Sequence, residues 1–245
     1  MSGHSKWANI KRKKQANDAV RGTVFSKLSR LITVAVIENG GIIDPEHNVK
    51  LRLAIDKAKQ YNMPKENIKR AIERGIGPGR DQLREIIYEA FAPYGVVLMI
   101  LATTDNINRT TSEIRNILER YGGKLGHQGS VAYLFQKCGL IVFEKKDVNE
   151  ENVFSLAEKV NAYDIDQDET HFFLSFPFAN FGRVKEYLGN FRYETCEIDY
   201  KPSSYIKIET EDEAKKILNL IDTLEELDDI HKVFGNFDIP DQHLH

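Results

Sequence analysis

The first third of the chain repeats apolar residues with the period of an α-helix. They recur every three or four positions in three segments, which places them on one face of each helix. Gly40 and Gly41 end the first segment, and the pair Asp44 and Pro45 is typical of the start of the second. We therefore predict three amphipathic helices that pack as a small bundle. The three segments are 16–36, 51–61 and 68–72.

Beyond residue 80 the pattern changes to short apolar runs that alternate with further amphipathic helices. The predicted order is ββαβ over 85–135 and βαββαβ over 140–199, and the second of these is the order of a ferredoxin-like fold. A helix over 212–224 and a strand over 230–234 follow, and together they complete the first block. The pattern predicts an α+β protein with antiparallel sheets, in which one α+β domain is inserted in the other.

The predicted domain organisation has three parts. A basic helical domain spans 1–80, a discontinuous α+β domain spans 81–136 plus 203–245, and an inserted ferredoxin-like α+β domain spans 137–202. The glycines and the proline of 75–79 mark the first boundary, because such residues are typical of turns and linkers.

Composition narrows the classes of protein that the chain can represent. Apolar residues make up 41% of the 245 residues, which is enough for packed cores. The longest strongly apolar run, 96–102, is far shorter than the roughly 20 residues that span a bilayer, so we expect no membrane partner. Cys138 and Cys196 lie far apart with no second Cys or His at metal-ligand spacing. We therefore predict no disulfide framework, no metal and no cofactor, and reduced thiols in a cytoplasmic protein.

The distribution of charge gives the first indication of function. The net charge of the whole chain is −3, but residues 1–80 carry 17 Lys and Arg against 7 Asp and Glu, a net charge of +10. Four adjacent cations, Lys11, Arg12, Lys13 and Lys14, repel one another, and no nearby acid precedes them. A polyanion is the natural partner of such a segment.

The chain contains five separated motifs, namely GHSKWANIK at 3–11, NMPKENI at 62–68, TDN at 104–106 with NRT at 108–110, GGKLG at 122–126, and GSVA at 129–132 with Phe135. Together they give the chain a resemblance to the YebC/PmpR family over nearly its whole length. The family is described as three-domain, with a helical N-terminal domain and two α+β domains. Its members are labelled probable transcriptional regulators, of which some bind promoter DNA, while others, including mitochondrial relatives, act as translation factors at the ribosome. The resemblance implies a regulator whose partner is DNA or ribosomal RNA, together with the transcription machinery or the ribosome.

The candidate nucleic-acid-binding residues lie in the leading arm and on two of the predicted helices. The cations neutralise phosphates and release counterions, and the small polar side chains suit contacts with sugar or backbone. The single tryptophan either stacks on an unpaired base or packs the arm onto the bundle. No base-reading helix is indicated, so we favour recognition of backbone and shape. The candidates are His4, Ser5, Lys6, Trp7, Asn9, Lys11, Arg12, Lys13, Lys14, Arg21, Lys27, Arg30, Lys65 and Lys69.

Two other functional classes stand beside this interpretation. In the first, an adaptor, the acidic domains dock a basic protein while the arm holds nucleic acid. The second, an enzyme, is disfavoured and we predict no catalytic residue. The glycine-rich loop 122–129 follows a predicted helix and precedes a predicted strand, the reverse of a phosphate-binding loop.

Two polar clusters have ordinary structural explanations. The acids Glu225, Glu226, Asp228 and Asp229 could gather Mg²⁺, but we interpret them as a solvated helix end. Arg109 stands at a predicted helix start, where it could bind an anion. We favour an internal ion pair with Glu113, four residues further along the helix.

Overall fold

A computed structural model describes residues 21–78 and 83–243. The helices are α1 (Arg21–Glu38), α2 (Val49–Gln60), α3 (Lys65–Ile76), α4 (Ile107–Tyr121), α5 (Glu150–Lys159), α6 (Val184–Leu188) and α7 (Glu211–Glu226). The strands are β1 (Arg84–Phe91), β2 (Val97–Thr104), β3 (Lys124–Leu125), β4 (Phe135–Glu144), β5 (Asp164–Gln167), β6 (His171–Pro177), β7 (Thr195–Pro202), β8 (Ile206–Lys207), β9 (Ile230–Gly235) and β10 (Phe237–Asp238). None of these helices combines the length and the apolar character needed to cross a bilayer.

The described residues divide into two units. The first unit contains α1 to α4, α7, β1 to β3 and β9, and the second contains the elements of 133–210 and 236–243. The α+β class with antiparallel sheets, predicted from the sequence, is confirmed. The domain limits given above stay a prediction.

Helices α1, α2 and α3 pack through the predicted apolar faces. Leu51 and Ala58 of α2 and Ile32 of α1 are fully buried, and Ala71 of α3 lies beside them. Gly75 allows α3 to approach α1 closely, because a Cβ at this position would lie 2.6 Å from the Cβ of Val36.

The start of α2 differs from the prediction. Asn48, not Asp44, caps the helix, since its side chain accepts a hydrogen bond of 3.0 Å from the Leu51 amide. The same side chain donates to the carbonyl of Ala35 at 2.9 Å, which ties the start of α2 to α1. Asp44 instead stabilises a local turn by accepting from the amide of Glu46 at 3.0 Å. A buried side-chain amide with three partners, the third being the carbonyl of Ile42, therefore replaces the exposed acid as the cap.

The sheet of the first unit has the order β3-β1-β2-β9, and every pairing in it is antiparallel. The closing strand β9 pairs with β2. Helices α4 and α7 bury their apolar faces in this unit through residues such as Ile114, Leu118, Ile217 and Ile221.

The larger sheet of the second unit has the order β5-β6-β4-β7 and is also antiparallel, while β8 and β10 form a two-stranded parallel sheet. Its longest strand, β4, pairs with β6 on one side and with β7 on the other. The prediction of a strand over 130–135 is wrong, because Ala132–Leu134 form a 3₁₀ turn and the strand begins at Phe135. The short strand β3 completes the first sheet in its place.

Candidate nucleic-acid interface

The predicted interface falls partly outside the described residues. His4, Ser5, Lys6, Trp7, Asn9, Lys11, Arg12, Lys13 and Lys14 all lie outside them. The structure places the backbone of Arg21 in α1 and the complete side chains of Lys27, Arg30, Lys65 and Lys69. These four side chains have two different surroundings.

Helix α3 presents a cationic face to solvent. Lys65, Lys69, Arg70 and Arg74 are exposed, while Ile68, Ala71 and Gly75 are buried on the opposite face. This separation follows from the sequence, because the apolar positions recur three and four residues apart.

The acids of α3 compensate only part of this charge. Lys69 lies 3.9 Å from Glu73, and 70% of the Lys69 side chain is exposed. Such an exposed pair contributes little free energy and leaves the lysine able to contact another anion. Glu66 is the other acid of the helix, so four cations face two acids.

The two cations of α1 turn towards the chain itself. Lys27 donates a hydrogen bond to the carbonyl oxygen of Glu225. Arg30 forms an ion pair with Asp229, and its Nη1 lies 3.4 Å from the carbonyl oxygen of Thr103. Lys27 and Arg30 therefore stabilise the attachment of α1 to the elements beside it.

Asp229 is the centre of a buried polar cluster in the first unit. Its side chain is 3% exposed and accepts hydrogen bonds from Arg109 Nη2 at 2.8 Å and from Thr110 Oγ1 at 2.6 Å, besides the contact with Arg30. Burial alone would raise the pKa of Asp229, but the hydrogen bonds from Arg109, Thr110 and Arg30 outweigh it and lower the pKa to about 2. Asp229 is therefore ionised at neutral pH.

This cluster corrects two interpretations made from the sequence. The helix-end acids are not uniformly solvated, because Asp229 is buried and Glu225 accepts a hydrogen bond of 2.9 Å from the amide of Val233. Arg109 does not pair with Glu113 but with Asp229 and with Asp105, the latter at 2.9 Å. Sequence spacing could not reveal the link to Asp229, which lies 120 residues away.

The TDN and NRT motifs build the start of α4. Asn106 caps the helix by accepting from the amide of Arg109 at 3.1 Å. Thr104 Oγ1 accepts from the amide of Asn106 at 2.9 Å and lies 2.8 Å from Thr110 Oγ1. In this chain the motifs therefore orient Arg109 and Thr110 towards Asp229.

The GSVA motif is held by a buried carboxylate. Glu89, which is 5% exposed, accepts hydrogen bonds from the amides of Gly129 at 2.6 Å, Val131 at 2.6 Å and Ala132 at 2.8 Å. Burial acts to raise the pKa of Glu89, but these backbone donors lower it below its ordinary value. The loop is fixed by one side chain from β1, which the sequence pattern did not indicate.

Fold and surface together define an α+β protein with a basic helical bundle. Residues 5–78 match the TACO1/YebC protein N-terminal domain, and residues 83–237 match the TACO1/YebC second and third domain. The chain belongs to the TACO1/YebC family.

Proteins of similar length match nearly the whole chain. The chain is 46% identical to a probable transcriptional regulatory protein of Rubrobacter xylanophilus, over 99% of this chain and 97% of the relative. It is 46% identical to another protein of that name from Aquifex aeolicus, over 100% of this chain and 98% of the relative. A crystal structure of a conserved hypothetical protein from Aquifex aeolicus superposes with a TM-score of 0.84 at 43% identity and covers 93% of this chain and 94% of the other. The name that the Rubrobacter xylanophilus and Aquifex aeolicus relatives share describes a regulator and mentions no enzyme activity.

Proposed function

We propose that this protein is a non-enzymatic, nucleic-acid-binding regulator of gene expression in the cytoplasm. Residues 1–20 and the exposed face of α3 contact the phosphate backbone of DNA or RNA. The observation that carries the proposal is the placement of Lys65, Lys69, Arg70 and Arg74 on the solvent side of a helix whose other face is buried. The regulatory names of the relatives and the charge of +10 over residues 1–80 support it.

The exposed cations of α3 suit a sugar-phosphate backbone. Side chains three and four residues apart on a helix have Cβ atoms about 5–6 Å apart, so neighbouring cations can reach successive phosphates. These contacts position a protein on nucleic acid without reading bases. Lys27 and Arg30 would have to exchange intramolecular partners to join in, so we assign α3 the larger share.

Salt dependence of binding tests the role of α3. In the double variant Lys65→Gln, Lys69→Gln, the slope of log affinity against log salt should become shallower by about 1.4–1.8, since each lost phosphate contact removes about 0.7–0.9. The measurement is fluorescence anisotropy with labelled single-stranded RNA, duplex RNA and duplex DNA.

The matched control removes the same charge from another exposed helix of the first unit. Arg115 and Arg120 are exposed on α4, and Arg115→Gln, Arg120→Gln should leave the slope unchanged. Equal slopes for the wild type and the α3 variant would remove α3 from the interface.

The leading arm needs a separate variant. Changing Lys11, Arg12, Lys13 and Lys14 to Glu should abolish binding at moderate salt while the circular dichroism spectrum stays the same. Retained affinity would exclude the arm as a contact.

Crosslinking in cells, followed by sequencing of the bound nucleic acid, identifies the partner. Enriched ribosomal RNA would assign the protein to translation, and enriched promoter DNA would assign it to transcription. Recovery of neither nucleic acid would contradict the proposal.

A further inference from the structure

Three side chains that can bind a metal meet at one end of the sheet in the second unit. Glu144 ends β4, His171 begins β6, and the two are directly opposite in the antiparallel register. Glu194 precedes β7, and its amide donates to the carbonyl of Val142 at 2.8 Å, which brings it to the other side of β4. One ligand atom from each of the three side chains lies within 4.8 Å of the others.

The imidazole is oriented towards the carboxylates. His171 Nε2 lies 3.0 Å from Glu194 Oε2, while its Nδ1 lies 2.7 Å from Thr170 Oγ1 and 3.7 Å from Asp168 Oδ1. A hydroxyl or carboxylate on the far nitrogen of an imidazole is the usual outer contact of a metal-bound histidine, where it fixes the ring and raises its basicity. His171 is 5% exposed, so packing also restricts the ring.

A cleft gives access to this cluster. Its volume is about 380 Å³, and its lining includes Glu144, Asp147, Arg192 and Glu194. The cleft therefore reaches two of the three side chains, Glu144 and Glu194, and provides an entry path for an ion.

We propose that Glu144, His171 and Glu194 form a binding site for a divalent transition-metal ion, with Zn²⁺ as the best match. One imidazole nitrogen and two carboxylates suit Zn²⁺ better than Mg²⁺ or Ca²⁺, which prefer oxygen ligands alone. Ligand atoms at about 2.1 Å from a tetrahedral Zn²⁺ lie about 3.4 Å apart, so modest rotations of the glutamates suffice. Lys146 now contacts Glu144, but 73% of its side chain is exposed and it can turn to solvent.

Sequence spacing could not indicate this site. Its ligands are 27 and 23 residues apart along the chain, at the end of β4, the start of β6 and the residue before β7, whereas recognisable zinc motifs place ligands a few residues apart. The site is independent of the proposed nucleic-acid interface, which lies in the first unit and the leading arm.

The test is calorimetric titration of the metal-free full-length chain with ZnCl₂. His243 and His245 are first changed to Gln in every protein, so that the C-terminal histidines cannot contribute. We expect one Zn²⁺ per chain in this parent protein. Glu144→Gln and Glu194→Gln should each weaken the affinity at least about tenfold, and Thr170→Val should weaken it by about 10- to 100-fold through the orientation of His171.

The control is Glu158→Gln, which removes an exposed acid of α5 in the same unit and should leave the affinity unchanged. A second readout uses Co²⁺, whose visible absorption bands should appear with the parent and disappear with Glu194→Gln. Circular dichroism checks that each variant is folded. The proposal is overturned if the parent binds no Zn²⁺ at metal concentrations above that of the protein, or if the folded glutamate variants bind it as tightly as the parent.

Discussion

Asp229→Asn should destabilise the protein, because the substitution removes the anion between Arg30 and Arg109 while preserving the size of the side chain. The fall of the Asp229 pKa from 3.8 to about 2 corresponds to about 2.4 kcal/mol at 1.36 kcal/mol per pH unit. Breaking a buried ion pair costs about 3–5 kcal/mol. The side chain of Arg30 is 24% exposed and that of Arg109 is 43% exposed. Water can therefore solvate part of their charge once the anion is removed, which reduces the cost. We expect a loss of about 2–3 kcal/mol at pH 7.

Urea unfolding followed by far-ultraviolet circular dichroism measures this loss. Native-state hydrogen exchange should also show reduced protection in α1, because Arg30 ties this helix to Asp229. The matched control is Asp105→Asn, since Asp105 contacts Arg109 with a side chain that is 50% exposed, and it should cost less than about 1 kcal/mol. If Asp229→Asn stays within about 0.5 kcal/mol of the wild type, the cluster does not stabilise the fold as argued.

Two further predictions concern buried ionisable groups. The pKa of His231 is lowered from 6.5 to about 3, mainly by burial and then by the nearby cations Lys27, Lys57 and Arg30. As the pH falls, His231 is therefore protonated in the unfolded chain before it is protonated in the folded one. The stability of the protein should fall for this reason between about pH 6.5 and pH 3, by about 2 kcal/mol at pH 5. Urea unfolding across this pH range measures the change. Glu89→Gln should cost about 1.5–3 kcal/mol in the same assay at pH 7, because it replaces a charged acceptor of three backbone hydrogen bonds.

Each of these predictions has its own control. For His231, the variant His231→Asn should show a shallower dependence of stability on pH between 5 and 7, and an unchanged dependence would assign the effect to other groups. For Glu89, the control is Glu119→Gln on the exposed face of α4, where little change is expected. If Glu89→Gln and Glu119→Gln have the same stability, the carboxylate is not what fixes the GSVA loop.

Local sequence rules predicted the three helices of the bundle because periodicity is a local property. The predicted apolar positions that the structure describes in α1, α2 and α3 are buried or partly buried, and the exposed cations of α3 follow from the same spacing. The start of α2 was misplaced, since Asp44 and Pro45 satisfy the local rules as well as Asn48 does. Asn48 caps the helix because its side chain also forms a hydrogen bond with the carbonyl of Ala35 in α1, which is a contact between two helices.

One strand was misplaced because a distant side chain binds the backbone of the segment. The residues around 130–135 have the composition of a strand, yet Glu89 binds the amides of Val131 and Ala132, and β4 begins only at Phe135. A carboxylate from β1 therefore holds the amides that a strand would have used. Glu89 lies about forty residues away in the chain, so the sequence around 130–135 gives no indication of this contact.

By itself, the sequence determined the α+β class, the charge of its basic third and the cationic face of α3, because composition and periodicity act over one or two helical turns. The tertiary structure alone decided the partners of Asp229 and the meeting of Glu144, His171 and Glu194. These groups come from distant segments, and only the pairing of strands and the packing of helices brings their side chains within bonding distance. Electrostatic interactions depend on distance in space, and the sequence supplies only distance along the chain.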